Sequence, residues 1–456
     1  MKKSRLFLLM PLLLWGFSNG VWGQDAPVPP ALSQPENVSF EESFTAFSWD
    51  WYQKNVAEQP KANWVTSPLG MYRLLGMLYA GSQNKTHAQI AAAMGWTGSE
   101  EAYFQGMRDL FLRFQNRSEV QIADSVWVQN RFPLDGNYVG VLRELGNAEV
   151  RNIDFGNKST RKEINGWISR QTQGKIPQLL QSLPKNTELL LCDTLTFSGQ
   201  WANAFDKRDT RKGYFTSLEG KEVRFPIMQR EGKYRYWKGE DFQWLELPYR
   251  DGEFFMGIFL PQKGENFAEV EKRVGASLIR DCLAKASLVT VDVRIPRFTF
   301  QGDSQAVPVL KKMGMEDAFQ TTADFSLISK GNELMVSTIL QGTYLKVDEK
   351  GTEAASAAAA EMIWKSMIPK ENPTFYADRP FIFVIAERKT GGILFMGRFV
   401  DPEAMEKEME SLPELETATP SQTDKETQKP EVKENGTKST PAPLNFHTSG
   451  VGGTIQ

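Results

Sequence analysis

The feature that most restricts this chain is an uncharged face in the stretch Thr343 to Pro373. Thr352, Ala354, Ser356, Ala358, Ala360, Met362 and Trp364 alternate along it without a charge, while Glu353, Glu361 and Lys365 all fall on the other side. Strand side chains alternate between two faces, so a segment of this kind can slip between two strands of a sheet and bury one face with no unpaired charge. A surface helix is the other reading, since Ala354 to Ala360 are all small and Ala is the best helix former. These residues alone leave both open. Upstream, Thr343, Leu345 and Val347 oppose Tyr344, Lys346 and Asp348, which predicts a strand. Glu349-Lys350-Gly351 then breaks it, with a Gly free to take angles that other residues avoid.

The chain has 456 residues, 41% hydrophobic, with a formal charge of -3. That is ample for a large core, and a near-neutral balance argues against nucleic acid as a partner. Lys2, Lys3 and Arg5 followed by the apolar Leu6 to Trp15 and small residues predict a secretory signal over 1–23, cut after Gly23 or Gly20. The protein is expected outside the cell, or in the periplasm of a Gram-negative bacterium. The apolar run is too short to span a bilayer, and no membrane partner is expected. Residues 24–38 read as a flexible lead-in. Residues 403–456 hold ten acidic and five basic side chains with many Pro, Thr and Ser, which predicts a disordered tail. Cys192 and Cys282 make no disulfide framework and are expected as free thiols. Asn37, Asn84, Asn116, Asn157 and Asn435 begin glycosylation sequons, relevant only in a eukaryote.

Between these ends, helices dominate first and strands later. Helices are predicted over Phe40 to Tyr52, from Pro68 to Gly81, and over Thr86 to Met94, Glu100 to Phe114, Asp135 to Leu145 and Lys158 to Thr172. Strands are predicted at Val120 to Gln129 and Leu189 to Phe197. A polar stretch, Phe205 to Gly213, precedes short strands at Arg224 to Met228, Tyr234 to Tyr236, Phe242 to Pro248 and Glu253 to Pro261. Ala268 to Ala286 reads as one helix and Val289 to Phe300 as one strand, with a further helix from Val307. Phe381 to Ile385 and Ile393 to Val400 read as partner strands across a turn. The order suggests an α+β domain over 39–402.

The material for catalysis is thin. The only histidines are His87 and His447, so a Ser-His or Cys-His pair has almost nothing to work with. No Cys/His cluster has metal spacing and no Gly-rich loop cradles a phosphate. No enzyme activity, metal or cofactor is expected, and the weight moves to binding or a change of shape.

Five blocks carry a resemblance. They are Asn63 to Leu69 with Met77 and Gly81; Thr172 to Ile176; Phe197-Ser198-Gly199-Gln200-Trp201 with Phe205; Phe375 to Phe381 with Phe395-Met396-Gly397-Arg398; and the hinge Glu349 to Ala355. Together they make the region from Phe40 to Pro402 resemble the serpins, inhibitory type. The resemblance implies about nine helices around three β-sheets with an exposed reactive loop. A protease attacks the loop as substrate, and the cut loop inserts into the central sheet with the protease still attached.

On that resemblance Glu349, Gly351, Thr352, Ala354, Ser356, Ala358 and Ala360 are the hinge and inserting face. The scissile bond, fourteen positions after Gly351, is Lys365–Ser366. Lys suits a protease with an Asp in its primary pocket, the trypsin type. The loop is a few residues longer than usual, which leaves Trp364, Met367 and Lys370 as rival cleavage sites. Sheet opening is assigned to Ser67, Gly70, Asp193, Trp201 and Gln341. The family commonly has a second Ser, an Asn and a His where this chain has Gly70, Asp193 and Gln341, so opening is expected to be tuned differently here. No basic helix of the heparin-binding kind is evident. The expected protein is a monomeric, secreted suicide inhibitor of a trypsin-like serine protease. The alternatives are a non-inhibitory carrier and a cysteine-protease inhibitor on the same scaffold.

Overall fold

The computed structural model describes residues 38–114, 117–146, 148–331, 333–351 and 372–403. Among them are nine helices: α1 (Phe40–Glu58), α2 (Pro68–Gly81), α3 (Asn84–Ala93), α4 (Glu100–Phe114), α5 (Gly136–Gly146), α6 (Thr160–Gln171), α7 (Phe267–Arg273), α8 (Ala276–Lys285) and α9 (Val307–Lys312). The strands are β1 (Trp64–Thr66), β2 (Val120–Gln129), β3 (Glu149–Ile153), β4 (Leu189–Phe197), β5 (Arg211–Thr216), β6 (Glu222–Lys238), β7 (Phe242–Pro248), β8 (Phe254–Pro261), β9 (Ser287–Pro296), β10 (Phe298–Gln305), β11 (Val336–Val347), β12 (Thr374–Tyr376), β13 (Phe381–Glu387) and β14 (Ile393–Phe399).

Five strands form the central sheet in the order β10-β11-β4-β2-β3. The rest form one network, β1-β14-β13-β8-β7-β6-β9-β12, with β5 on β6. The α+β architecture is as expected, but the three sheets appear as two hydrogen-bonded networks. The cause is β6, whose 17 residues pair in turn with β5, β9 and β7 and so join two sheets into one.

α2 is the keystone of the packing. All of its residues are buried, as the sequence PLGMYRLLGMLYAG, apolar on every side, requires. It packs on β4 and β2 of one sheet and on β14 of the other. Its start is set by Pro68 and by Ser67, whose hydroxyl accepts the Gly70 N–H at 3.0 Å. The opposite face of the central sheet is covered by α6. There Ile164, Trp167 and Ile168 meet Trp127, Leu190, Cys192 and Leu340. β4 is therefore buried on both faces, which explains its unbroken apolar run. Cys192 and Cys282 are buried free thiols, each pushed up to about 12 mainly by burial.

Several element boundaries differ from expectation. The strands read at Arg224 and Tyr234 are one strand, because β9 pairs with it from Ile227 to Tyr236 and carries the ladder past Gly232. The end of the polar stretch is β5, an edge strand, and β3 and β12 are further short strands. The helix read over Ala268 to Ala286 is two, since Val274 and Gly275 are extended; Gly inside a helix costs about 1 kcal/mol. The strand read over Val289 to Phe300 is also two. Pro296 has no N–H to continue the ladder, and at Arg297 the chain leaves β6's sheet for β11's. β11 starts at Val336, before the predicted Thr343.

Candidate functional site

β4 and β11 lie side by side and parallel, with Leu189 opposite Val336, a one-residue irregularity before Thr338, and steady register from Leu190↔Thr338 to Phe197↔Leu345. A segment entering between them must part this seam and replace one ladder with two. β11 leads straight into the hinge. The Asp348 N–H donates to the Gly351 carbonyl at 3.0 Å and the Gly351 N–H returns to Asp348 at 3.2 Å, so the chain reverses there. Gly351 then bridges Gln200, just beyond the end of β4. Its φ is +133°, and a Cβ would lie 2.6 Å from Gln200 Cα, so Gly is required on both counts. The returning chain is thus already seated between the ends of the two strands that form the seam.

The hinge is anchored from below. Glu349 is 2% exposed; its Oε1 accepts the Thr210 hydroxyl at 2.8 Å and stands 3.6 Å from Arg297 Nη1. Its carbonyl accepts the Phe205 N–H at 2.7 Å, and the Lys350 carbonyl accepts that of Trp201 at 3.1 Å. Trp201 Nε1 donates to the Asp348 carbonyl at 2.9 Å, and its ring stacks on Tyr249 at 4.6 Å. Trp201 therefore belongs with the hinge.

The other four residues that the resemblance assigns to sheet opening meet lower on the seam, under α2. Gln341 Nε2 donates to Asp193 Oδ2 at 2.9 Å and to the Ser67 carbonyl at 2.7 Å. Gln341 Oε1 accepts the Ser67 N–H at 3.0 Å and the Thr66 hydroxyl. One side chain on β11 thereby ties the seam to β4 and to the start of α2. Gly70 faces Asp193, leaving the space its carboxyl fills. Asp193 is completely buried, and burial first, then the Asp124 carboxyl beside it, holds its own carboxyl well above the usual range.

Sequence reasoning missed Arg73 and Asp124 here, and Thr210, Arg297 and Tyr249 at the hinge. Arg73 Nη2 and Nε reach Asp124 Oδ2 at 2.6 and 3.0 Å in a fully buried ion pair. Arg73 is the lone charge in α2 and Asp124 the lone charge in β2, a signal that could have found them.

Thr352, Ala354, Ser356, Ala358, Ala360, Lys365 and Ser366 lie outside the described residues. So do the signal, the lead-in through residue 37, the tail from residue 404, and Asn37, Asn116 and Asn435. Asn84 starts α3, and its amide donates to Asp324 at 2.7 Å; Thr86 of the same sequon is buried. Asn157 is exposed on the turn before α6. In the C-terminal signature, Arg398 on β14 is buried and holds the Glu271 carboxylate at 3.0 Å.

The family model described as Serpin (serine protease inhibitor) matches residues 42–402. An uncharacterized serpin-like protein of Thermococcus kodakarensis is 32% identical over 388 residues, spanning 84% of this chain and 87% of that one. The leukocyte elastase inhibitor of Equus caballus is 30% identical over 381 residues, spanning 78% and 98%. The crystal structure of human thyroxine-binding globulin in complex with its ligand superimposes with a TM-score of 0.74 at 26% identity, over 80% of this chain and 98% of that one. With the five-stranded sheet, the seated hinge and the signature residues all in place, the chain belongs to the serpin family.

Proposed function

We propose that this protein is a secreted suicide-substrate inhibitor of trypsin-like serine proteases. The observation that carries the reading is the hinge. Gly351 is bridged to Gln200 at the head of a parallel pair, β4 and β11, with no strand between them. On insertion, the residues after Gly351 would enter the seam antiparallel to both neighbours. The protease serine attacks the Lys365 carbonyl and becomes acylated, while Ser366 leaves with a free amine. Freed at that end, the loop inserts from Thr352 onward with Ala354, Ser356, Ala358 and Ala360 on the buried face. Insertion of a serpin reactive loop is a known case of strand addition to a sheet. Each ladder hydrogen bond is worth about 0.5–1.5 kcal/mol net, so about ten of them with the apolar burial favour the inserted state by several kcal/mol. The inhibitor acts as a monomer, without cofactor, and the signal at 1–23 directs it out of the cell.

The likeness to thyroxine-binding globulin supports a second reading, a carrier on the same scaffold. The two differ at residues 352–360, where a carrier has no need of an uncharged inserting face. A cysteine protease as target is the third possibility, with the same loop chemistry. The test is to mix the full chain with trypsin, resolve the products in SDS and locate the cut by mass spectrometry. An SDS-resistant complex joined through Lys365 is the expected result. Cleavage without a complex rejects the inhibitory reading.

A further inference from the structure

Three polar side chains cross the central sheet in one row beneath α2. Asp124 on β2 stands opposite Asp193 on β4, and Gln341 on β11 is the next neighbour of Asp193. Gln341 satisfies Asp193 Oδ2 and Arg73 satisfies Asp124 Oδ2. Asp193 Oδ1, Asp124 Oδ1 and Arg73 Nη1 remain, all buried and without a partner, with Nη1 lying toward Gly146. A single hydrogen between these two oxygens would pair them both. It would also balance the charge, because two ionised carboxylates against one guanidinium leave a buried negative charge that nothing else offsets.

The surroundings supply no competing ion. From α2 come Arg73 and the Ser67 backbone; from β11 comes neutral Gln341. On β4 the adjacent Cys192 thiol belongs to the core on the α6 side of the sheet. From α4, Tyr103 is close enough to feel Arg73, and the Phe111 ring lies 5.5 Å from the Arg73 guanidinium carbon. Among the described residues no other charged side chain pairs with either carboxyl.

We infer that Asp124 and Asp193 share one proton while the sheet is closed, and that this proton governs how readily β11 parts from β4. The second half rests on the inhibitory reading, in which the seam must open. Opening removes Gln341 from Asp193 and admits water. A hydrated carboxyl ionises at neutral pH and gives its proton to the solvent, so opening and proton release are one event. A carboxyl held above its free value stabilises the closed state in full below about pH 4, and that contribution falls as pH rises toward the folded-state value. Acid therefore clamps the seam and higher pH loosens it. This is a property of Asp at position 193, and an Asn there would not titrate.

Two measurements on the full chain test this. The first is infrared spectroscopy at neutral pH, where the wild type shows the C=O stretch of a protonated carboxyl and Asp193→Asn lacks it. The second follows annealing of a synthetic peptide copying residues 352–365, by native gel, at about pH 5 and about pH 8. The expected wild-type rate is about 100-fold higher at the upper pH, because a carboxyl that stays protonated to neutral pH while closed and ionises on opening couples opening to one proton over about two pH units. Asp193→Asn should be flat. Asp124→Asn, which lacks the second carboxylate, should keep the response with its midpoint displaced toward acid. Absence of the infrared band, or an equal pH response in Asp193→Asn, overturns the inference and leaves covalent trapping untouched. Failure to trap trypsin at every pH rejects the inhibitory reading while the band remains as the record of the shared proton.

Discussion

Asp193 fills the space that Gly70 leaves empty: a Cβ at position 70 would overlap the Asp193 carboxyl outright. The two positions are coupled, and a side chain at 70 is incompatible with the carboxyl where it stands. Gly70→Ala should cost about 1–3 kcal/mol in urea unfolding, the usual result of overpacking a rigid site. Asp193→Ala in the same chain removes the obstacle, so the double variant should be more stable than the sum of the two single losses. Additive losses would show that the overlap is relieved some other way.

The hinge anchor makes a second prediction. Glu349 is buried with the Thr210 hydroxyl on its carboxylate and Arg297 beside it, the latter's side chain 20% exposed. Glu349→Ala removes the acceptor of the Thr210 hydroxyl and the carboxylate beside Arg297. A fully buried broken pair costs about 3–5 kcal/mol, and the partial exposure of Arg297 lowers this to about 2 kcal/mol. Glu349→Gln keeps an acceptor for Thr210 and should lose only about 1 kcal/mol. Urea midpoints of the two variants measure the difference. Equal midpoints would mean that the Arg297 and Thr210 contacts do not hold the hinge.

Much of this architecture was open to inspection in the sequence, for reasons that differ by element. β4 could be read end to end because a strand covered on both faces is a continuous apolar run. α2 could be read because Pro68, the Ser67 cap and an apolar surface all agree. The hinge could be placed because Gly351 needs a backbone conformation that few other residues accept. What could not be read is where the chain changes sheets. Gly232 and Pro226 look like breaks in a lone strand, yet β9 and β5 carry β6 through them. The Asp124–Asp193 pair was hidden for the same reason. Strand register joins residues far apart in the chain, and neither apolar segment announces its partner.

The proposed bait residue gives the third prediction. Lys365 lies fourteen positions beyond Gly351, and its ammonium matches a primary pocket that carries an Asp. Lys365→Glu puts a carboxylate against that Asp and should abolish inhibition of trypsin, a loss of at least about 100-fold in the association rate. The hinge and sheet are unaffected, so the urea midpoint should not move. Full activity in this variant would transfer the scissile bond to a rival such as Lys370.

The fourth prediction separates cleavage from insertion. Gly351 is already bridged to Gln200, so in the proposed mechanism Thr352 would be the first residue to enter between β4 and β11. The end of β4 beside that point, Leu195 to Phe197, is fully buried. An Arg at 352 would have to place its guanidinium between two packed strands with no carboxylate to meet it, a cost of several kcal/mol. Thr352→Arg leaves the Lys365 bait intact, so trypsin still acylates the loop at its normal rate. Slow insertion then gives the acyl bond time to hydrolyse. In SDS gels the product should pass from covalent complex to cleaved chain, and several molecules should be consumed for each protease inactivated. An unchanged yield of complex from Thr352→Arg would show that protease capture does not depend on the loop entering the seam at its head.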